Sequence, residues 1–106
     1  MAQFQHLSPQ DAKTMLGDEN TVIVDIRDLQ SYQQSHITGA KALNNDNVQE
    51  FIASTGADQP IIVCCYHGNS SQQAAAFLTE QGFASVYSLE GGFEYWRQFA
   101  PELCES

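Results

Sequence analysis

The chain has little positive charge. Lysine and arginine together number 4 against 13 aspartates and glutamates, leaving a net charge of −9 over 106 residues. That balance argues against nucleic acid and against anionic membrane as partners, since both are bound through arrays of cations. An anionic substrate must then be drawn by a local field, and the acidity itself reads as a device for solubility. Cysteine is scarce as well. There are three, with Cys64 and Cys65 adjacent and Cys104 in the tail, so no disulfide framework is expected. No apolar run approaches the roughly 20 residues needed to span a bilayer. The N-terminus shows no basic segment followed by an apolar one, as a signal peptide would. These absences point to a cytoplasmic, reduced protein. No repeat, linker or low-complexity segment appears. Residues 1–106 read as one domain with a frayed tail over residues 102–106.

What is present suits a folded core: 42% of residues are apolar and 10% aromatic. Phe4-Gln5-His6-Leu7 alternates apolar and polar residues and reads as a short strand. Ser8 then caps a helix, with Pro9 at its first position, Asp11 in its first turn and Gly17 at its stop. Thr21–Arg27 reads as a strand, nearly continuous in apolar residues through Val24. Asp25 and Arg27 stand at its C-terminal end and read as a structural brace for the next turn. Asp28 is suited to cap a short helix through Leu29, Tyr32 and Gln33. Residues 36–40 turn the chain, and 41–44 form a weak strand. His36 has no Cys or second His at metal-ligand spacing, so a structural role is expected. Asn44–Asn47 is a loop and cap cluster before a short helix bearing Val48, Phe51 and Ile52. Ser85–Leu89 is a further strand, Glu90-Gly91-Gly92 a turn, and Phe93–Phe99 a terminal helix stopped by Pro101. Strands alternating with helices predict an α/β fold with a mostly parallel sheet, whose ligands bind at the C-terminal ends of its strands.

The stretch Ile61–Ser71 carries the chemistry. Pro60 precedes an apolar run that ends in Cys64 and Cys65. A loop of small and polar residues follows, Tyr66-His67-Gly68-Asn69-Ser70-Ser71. Then comes a helix expected to bury Ala74, Ala75, Phe77 and Leu78 and to close at Gly82. A loop wound into a helix start aims unpartnered N–H groups at one point, where the helix dipole is positive. A sulfur there is favoured as thiolate, the nucleophilic form. Gly68 permits the curl, and Ser70 and Ser71 are suited to cap the helix. Cys64, one residue earlier on the strand, points to the opposite face and reads as a core thiol. A disulfide between the two neighbours would be strained.

Four stretches in order resemble the rhodanese family of sulfurtransferases, in particular its single-domain thiosulfate sulfurtransferases. They are Val24–Asp28, Tyr32 with Ser35–Ala40, the Cys65 loop, and Gly91-Gly92-Phe93 with Trp96. The family often has Gly and Pro where this chain has Ser35 and Thr38, and many members have Arg where it has Tyr66. The resemblance implies a rhodanese-like fold, a five-stranded mostly parallel sheet with helices on both faces. It implies that Cys65 carries sulfur from thiosulfate as a persulfide, releasing sulfite, and passes it to cyanide or a thiol, including a small thiol protein such as thioredoxin. The residues from Tyr66 to Ser71 would bind the anionic donor, and Asp25 and Arg27 would brace the site. Neither a metal nor an organic cofactor is implied. Two rivals stand beside this reading. A Cys-loop phosphatase or arsenate reductase would end the loop in an arginine that grips the oxyanion, and Ser71 occupies that position. A non-enzymatic interaction module of the same fold would have no use for an intact Cys65.

Overall fold

The computed structural model describes residues 3–106; Met1 and Ala2, with which the expected domain begins, lie outside the described residues. Five parallel strands form the central sheet: β1 (Gln5–Leu7), β2 (Val22–Asp25), β4 (Lys41–Ala42), β5 (Ile61–Cys64) and β6 (Val86–Leu89), in the order β1-β6-β5-β2-β4. Strand β5 is central and wholly buried, which fits its unbroken run Ile61-Ile62-Val63-Cys64. A two-residue strand, β3 (His36–Ile37), lies outside this sheet.

The alternation of side chains along β2 and β5 sorts the core into two layers. Ile23, Ile62 and Cys64 pack with Ala12 of helix α1 (Pro9–Met15) and with Phe93 and Trp96 of helix α5 (Gly92–Phe99). On the other face, Val24, Ile61 and Val63 meet Phe51 of helix α3 (Val48–Ser54) and Ala75 and Leu78 of helix α4 (Ser70–Glu80). Helix α2 (Leu29–Gln34) buries no residue fully, and its Tyr32 leans on the first of these layers.

Local signals in the sequence account for several helix ends. The Ser8 side chain accepts from the Asp11 N–H (3.2 Å), and the Asp28 carboxylate accepts from the Ser31 N–H (3.0 Å). Gly82 follows α4 with a φ of +103°, the left-handed conformation of a helix-closing glycine. Gly17 is different: it has no positive φ, and α1 stops at Met15 with Leu16 as its cap.

Four further expectations need correction. The tail is ordered. A 3₁₀ turn (Pro101–Leu103) leads to strand β7 (Cys104–Glu105), which pairs antiparallel with β3. Glu105 also accepts from the Gly39 N–H (2.9 Å), and Trp96 Nε1–H donates to the Leu103 carbonyl, so the tail has partners that fraying would forfeit. Second, the strand expected over Thr21–Arg27 spans only Val22–Asp25: the Ile26 N–H still donates to the Cys64 carbonyl (2.9 Å), but the chain bends at Arg27, whose N–H and guanidinium fold back onto Asp25. Third, Phe77 is exposed at 39%, since the buried stripe of α4 runs through Ser71, Ala75, Leu78 and Thr79. Fourth, neither Ser70 nor Ser71 caps α4. Asn69 holds that position without a side-chain hydrogen bond.

Candidate active site

Cys65 follows the last residue of β5, at the C-terminal edge of the sheet, and only 2% of it is exposed. The loop from Tyr66 to Asn69 curls around its sulfur. The Gly68 N–H donates to Cys65 Sγ at 3.1 Å and the Ser71 N–H donates to it at 3.2 Å. This explains the missing serine cap: the sulfur itself satisfies a first-turn N–H of α4. Burial opposes ionisation of Cys65. The N–H groups of Ser71, Gly68 and His67 and the polar Ser71 side chain favour the charged form and outweigh it, holding the thiol below its ordinary pKa. Cys64 goes the other way. It is fully buried among apolar side chains, and burial, then the Asp25 carboxylate, push its thiol far up. One residue of separation on a strand thus gives two thiols of opposite character. All three cysteines are free.

The loop requires glycine at Gly68. Its φ is +90°, and an added Cβ would lie 3.0 Å from the Gly91 nitrogen and 3.1 Å from the Leu89 oxygen. Gly68 also offers its carbonyl to the Gln72 side chain (2.9 Å). The outer loop side chains behave differently from the backbone. Tyr66 is 39% exposed, and its hydroxyl meets the Asp28 carboxylate and the Ser31 hydroxyl. It reaches away along the rim and makes no hydrogen bond to the sulfur. The His67, Asn69 and Ser70 side chains are exposed. His67 makes no side-chain hydrogen bond among the described residues, while its N–H favours the thiolate.

Asp25 and Arg27 lie beneath the loop. The Arg27 Nε–H donates to Asp25 Oδ1 (3.0 Å), and Nη2–H to Asp25 Oδ2 (2.8 Å) and to the Ser35 carbonyl (2.7 Å). Burial works against the guanidinium charge, yet the Asp25 carboxylate raises its pKa further. The guanidinium also lies 4.2 Å from the centre of the Phe93 ring and 5.7 Å from that of Tyr66. With these partners it ties β2, the loop and α5 together. His36 is likewise structural. It stacks on Tyr32 with ring centres 4.0 Å apart, its Nδ1 lies 2.7 Å from the Tyr32 carbonyl, and its Nε2 lies 3.4 Å from Glu105. No group of three or more His, Cys, Asp or Glu side chains suited to a metal exists among the described residues.

Three supports escaped the reading of the sequence. The start of α5 caps the loop: the Phe93 N–H donates to the Cys65 carbonyl (2.8 Å) and the Glu94 N–H to that of Tyr66 (3.1 Å). Gly92 makes this approach feasible, because an added Cβ would sit 2.5 Å from Tyr66 backbone atoms. Its place beside Gly91 was the available signal. Asp28 and Ser31 hold the Tyr66 hydroxyl, which only tertiary structure brings near. Ser88, buried in β6, sets its Oγ 2.7 Å from Ser71 Oγ. A small polar residue inside an apolar strand was the signal there.

A rhodanese-like domain is matched over residues 8–99, most of the chain. The chain belongs to the rhodanese family. It is 52% identical over 101 residues to the thiosulfate sulfurtransferase GlpE of Pseudomonas entomophila, covering 95% of this chain and 92% of the relative. With the protein of the same name from Pseudomonas fluorescens strain SBW25 the identity is 50% at the same coverage. The solution structure of the rhodanese-like domain of the Anabaena protein Alr3790 superposes with a TM-score of 0.79 at 29% identity, over 89% of this chain and 74% of that one. The five-stranded parallel sheet with helices on both faces is thus the rhodanese-like architecture.

Proposed function

We propose that this chain is a thiosulfate sulfurtransferase whose Cys65 carries the transferred sulfur. The observation that carries the reading is the pair of amide N–H donors on the Cys65 sulfur, at 3.1 and 3.2 Å, in a loop that otherwise buries it. The GlpE relatives supply the donor's name. The Cys65 thiolate attacks the outer sulfur of thiosulfate. The sulfur–sulfur bond of thiosulfate breaks, and sulfite leaves with its electron pair. A persulfide remains, with its negative charge on the outer sulfur. Cyanide or a thiolate acceptor then attacks that sulfur, the persulfide bond breaks, and the Cys65 thiolate returns. No side-chain base is needed, since the nucleophile starts as an anion.

The loop's N–H groups fit both halves of the cycle. They stabilise negative charge without giving up a proton, and they are fixed before the reaction begins. The residues Tyr66 to Ser71 hold the donor chiefly through this backbone, and Asp25 and Arg27 hold the loop. The acceptor is cyanide or a thiol, and a small thiol protein of the thioredoxin kind fits that chemistry. A working Cys65 must stay reduced, which suits the cytoplasm, and no helix among the described residues is long and apolar enough to cross a membrane. The chain works as a single domain over 1–106. A Cys-loop phosphatase is disfavoured by a specific residue: the arginine position holds Ser71, fully buried and bonded to Ser88.

The test is thiocyanate formation from thiosulfate and cyanide. Wild type should turn over, Cys65→Ser should not, and Cys64→Ser should retain substantial activity. Turnover by folded Cys65→Ser refutes the assignment.

A further inference from the structure

Ser88 stands out as a buried polar group that the sulfur-transfer scheme leaves without a task. It lies on β6 opposite Val63 of β5, between Tyr87 and Leu89. It is 1% exposed, and its Oγ lies 2.7 Å from the Oγ of Ser71, which is fully buried. Ser71 in turn touches the Cys65 sulfur through its N–H. No other hydrogen-bond partner of the Ser88 side chain occurs among the described residues.

Two hydroxyls at this distance share one hydrogen, and only two arrangements exist. If Ser71 donates to Ser88, the Ser88 proton is buried without an acceptor, and Ser71 has nothing to offer the sulfur. If Ser88 donates to Ser71, the Ser71 proton is free to point at the thiolate, which accepts but cannot donate. Only the second arrangement leaves its remaining proton next to an anion that can accept it, and a buried unpartnered donor is costly. The negative charge on sulfur favours the same direction, because hydrogen bonds in a chain polarise one another toward an anion.

We propose that Ser88 is a positioning residue for sulfur transfer, its hydroxyl donating to Ser71 Oγ so that the Ser71 hydroxyl is turned onto the Cys65 sulfur. The favourable influence of the Ser71 hydroxyl on the thiolate agrees with this direction. The relay would serve the persulfide equally, since its sulfur is also an anion that only accepts.

The proposal rests on Cys65 as the reacting thiol. Its test reads the ionisation of that thiol without thiosulfate, so a failure of the relay and a failure of the transfer reaction are seen separately. The measurement is the rate of iodoacetamide alkylation of Cys65 against pH, located by peptide mass. Ser88→Ala should raise the midpoint by about one pH unit, tenfold in the ionisation constant. In a Ser71→Ala background the same change should move nothing, because the relay is already cut. The pair Ser88→Thr and Ser88→Val controls for packing and stands in if Ser88→Ala fails to fold. The two have similar shape, but only Thr keeps the hydroxyl, so Thr should retain the wild-type midpoint and Val should not. A shift under about half a unit, an equal shift in the Ser71→Ala background, or equal midpoints for Thr and Val would overturn the proposal.

Discussion

Replacing Gly92 by alanine should damage the active site from its far wall. Gly92 opens α5 with a φ of +60°, and a Cβ there would lie 2.5 Å from both the carbonyl carbon and oxygen of Tyr66 and 2.6 Å from the Cys65 oxygen. These are backbone atoms of the catalytic loop, so no side chain can swing aside. The left-handed conformation costs an alanine about 1–2 kcal/mol. Overpacking adds roughly 1–3 kcal/mol. Pushing the loop away also weakens the Phe93 and Glu94 hydrogen bonds to the Cys65 and Tyr66 carbonyls, each worth about 1 kcal/mol net. With both hydrogen bonds lost the total is about 4–7 kcal/mol, against the roughly 5–15 kcal/mol that holds a domain of this size. Gly39 is the internal control. Its φ is +85° but a Cβ would meet nothing within 4 Å, so Gly39→Ala carries only the conformational cost of about 1–2 kcal/mol. At about 4 °C per kcal/mol, thermal unfolding followed by circular dichroism should show Tm losses of at least about 16 °C for Gly92→Ala and about 4–8 °C for Gly39→Ala. Sulfur transfer should fail in the first even below its Tm and persist in the second. Equal Tm losses with full activity in both variants would refute the argument that α5 must press this closely on the loop.

Gly68→Val should lose activity more than stability, since the strain falls on the donors around Cys65; a folded, fully active variant would show that the loop does without glycine. Asp25→Asn should cost about 3–5 kcal/mol in urea unfolding by leaving the Arg27 charge buried without its partner, and an unchanged midpoint would show the pair to be dispensable. Cys65 ionises more readily folded than unfolded, so its thiolate adds stability that is fully present above the unfolded thiol's pKa and is lost as pH falls through the lower folded value. The alkylation midpoint of Cys65 should therefore lie below that of a free thiol, and should stay there in His67→Ala if the backbone is the cause; a normal midpoint in that variant would credit the imidazole instead.

Much of this was legible in the sequence where the cause is local. The unbroken apolar run of β5, the Ser8 and Asp28 caps and the Gly68 turn each follow from residues within a few positions. So does the contrast between Cys64 and Cys65, because a strand turns successive side chains to opposite faces. What escaped depends on distant segments meeting. Tail residues 104–105 pair with β3 and bond to Gly39, some seventy residues earlier in the chain. Phe77 has helical spacing for the core, but α4 rolls so that Ser71 and Thr79 share the buried stripe. Ser70 and Ser71 have the composition of caps, yet the sulfur of Cys65 already occupied that role. Gly92 and Ser88 matter through partners in other elements; the glycine pair and the serine inside an apolar strand mark the positions but not those partners.

The central claim is that sulfur rests covalently on Cys65. Mass spectrometry of the intact protein after brief thiosulfate treatment, followed by peptide mapping under non-reducing conditions, tests it most directly. The account predicts a gain of one sulfur atom in wild type and in Cys64→Ser, confined to the peptide containing Cys65 and removed by cyanide. It predicts no gain in Cys65→Ser. Sulfur found on Cys64 or Cys104, or turnover of thiosulfate with no sulfur on Cys65 at any time, would contradict it.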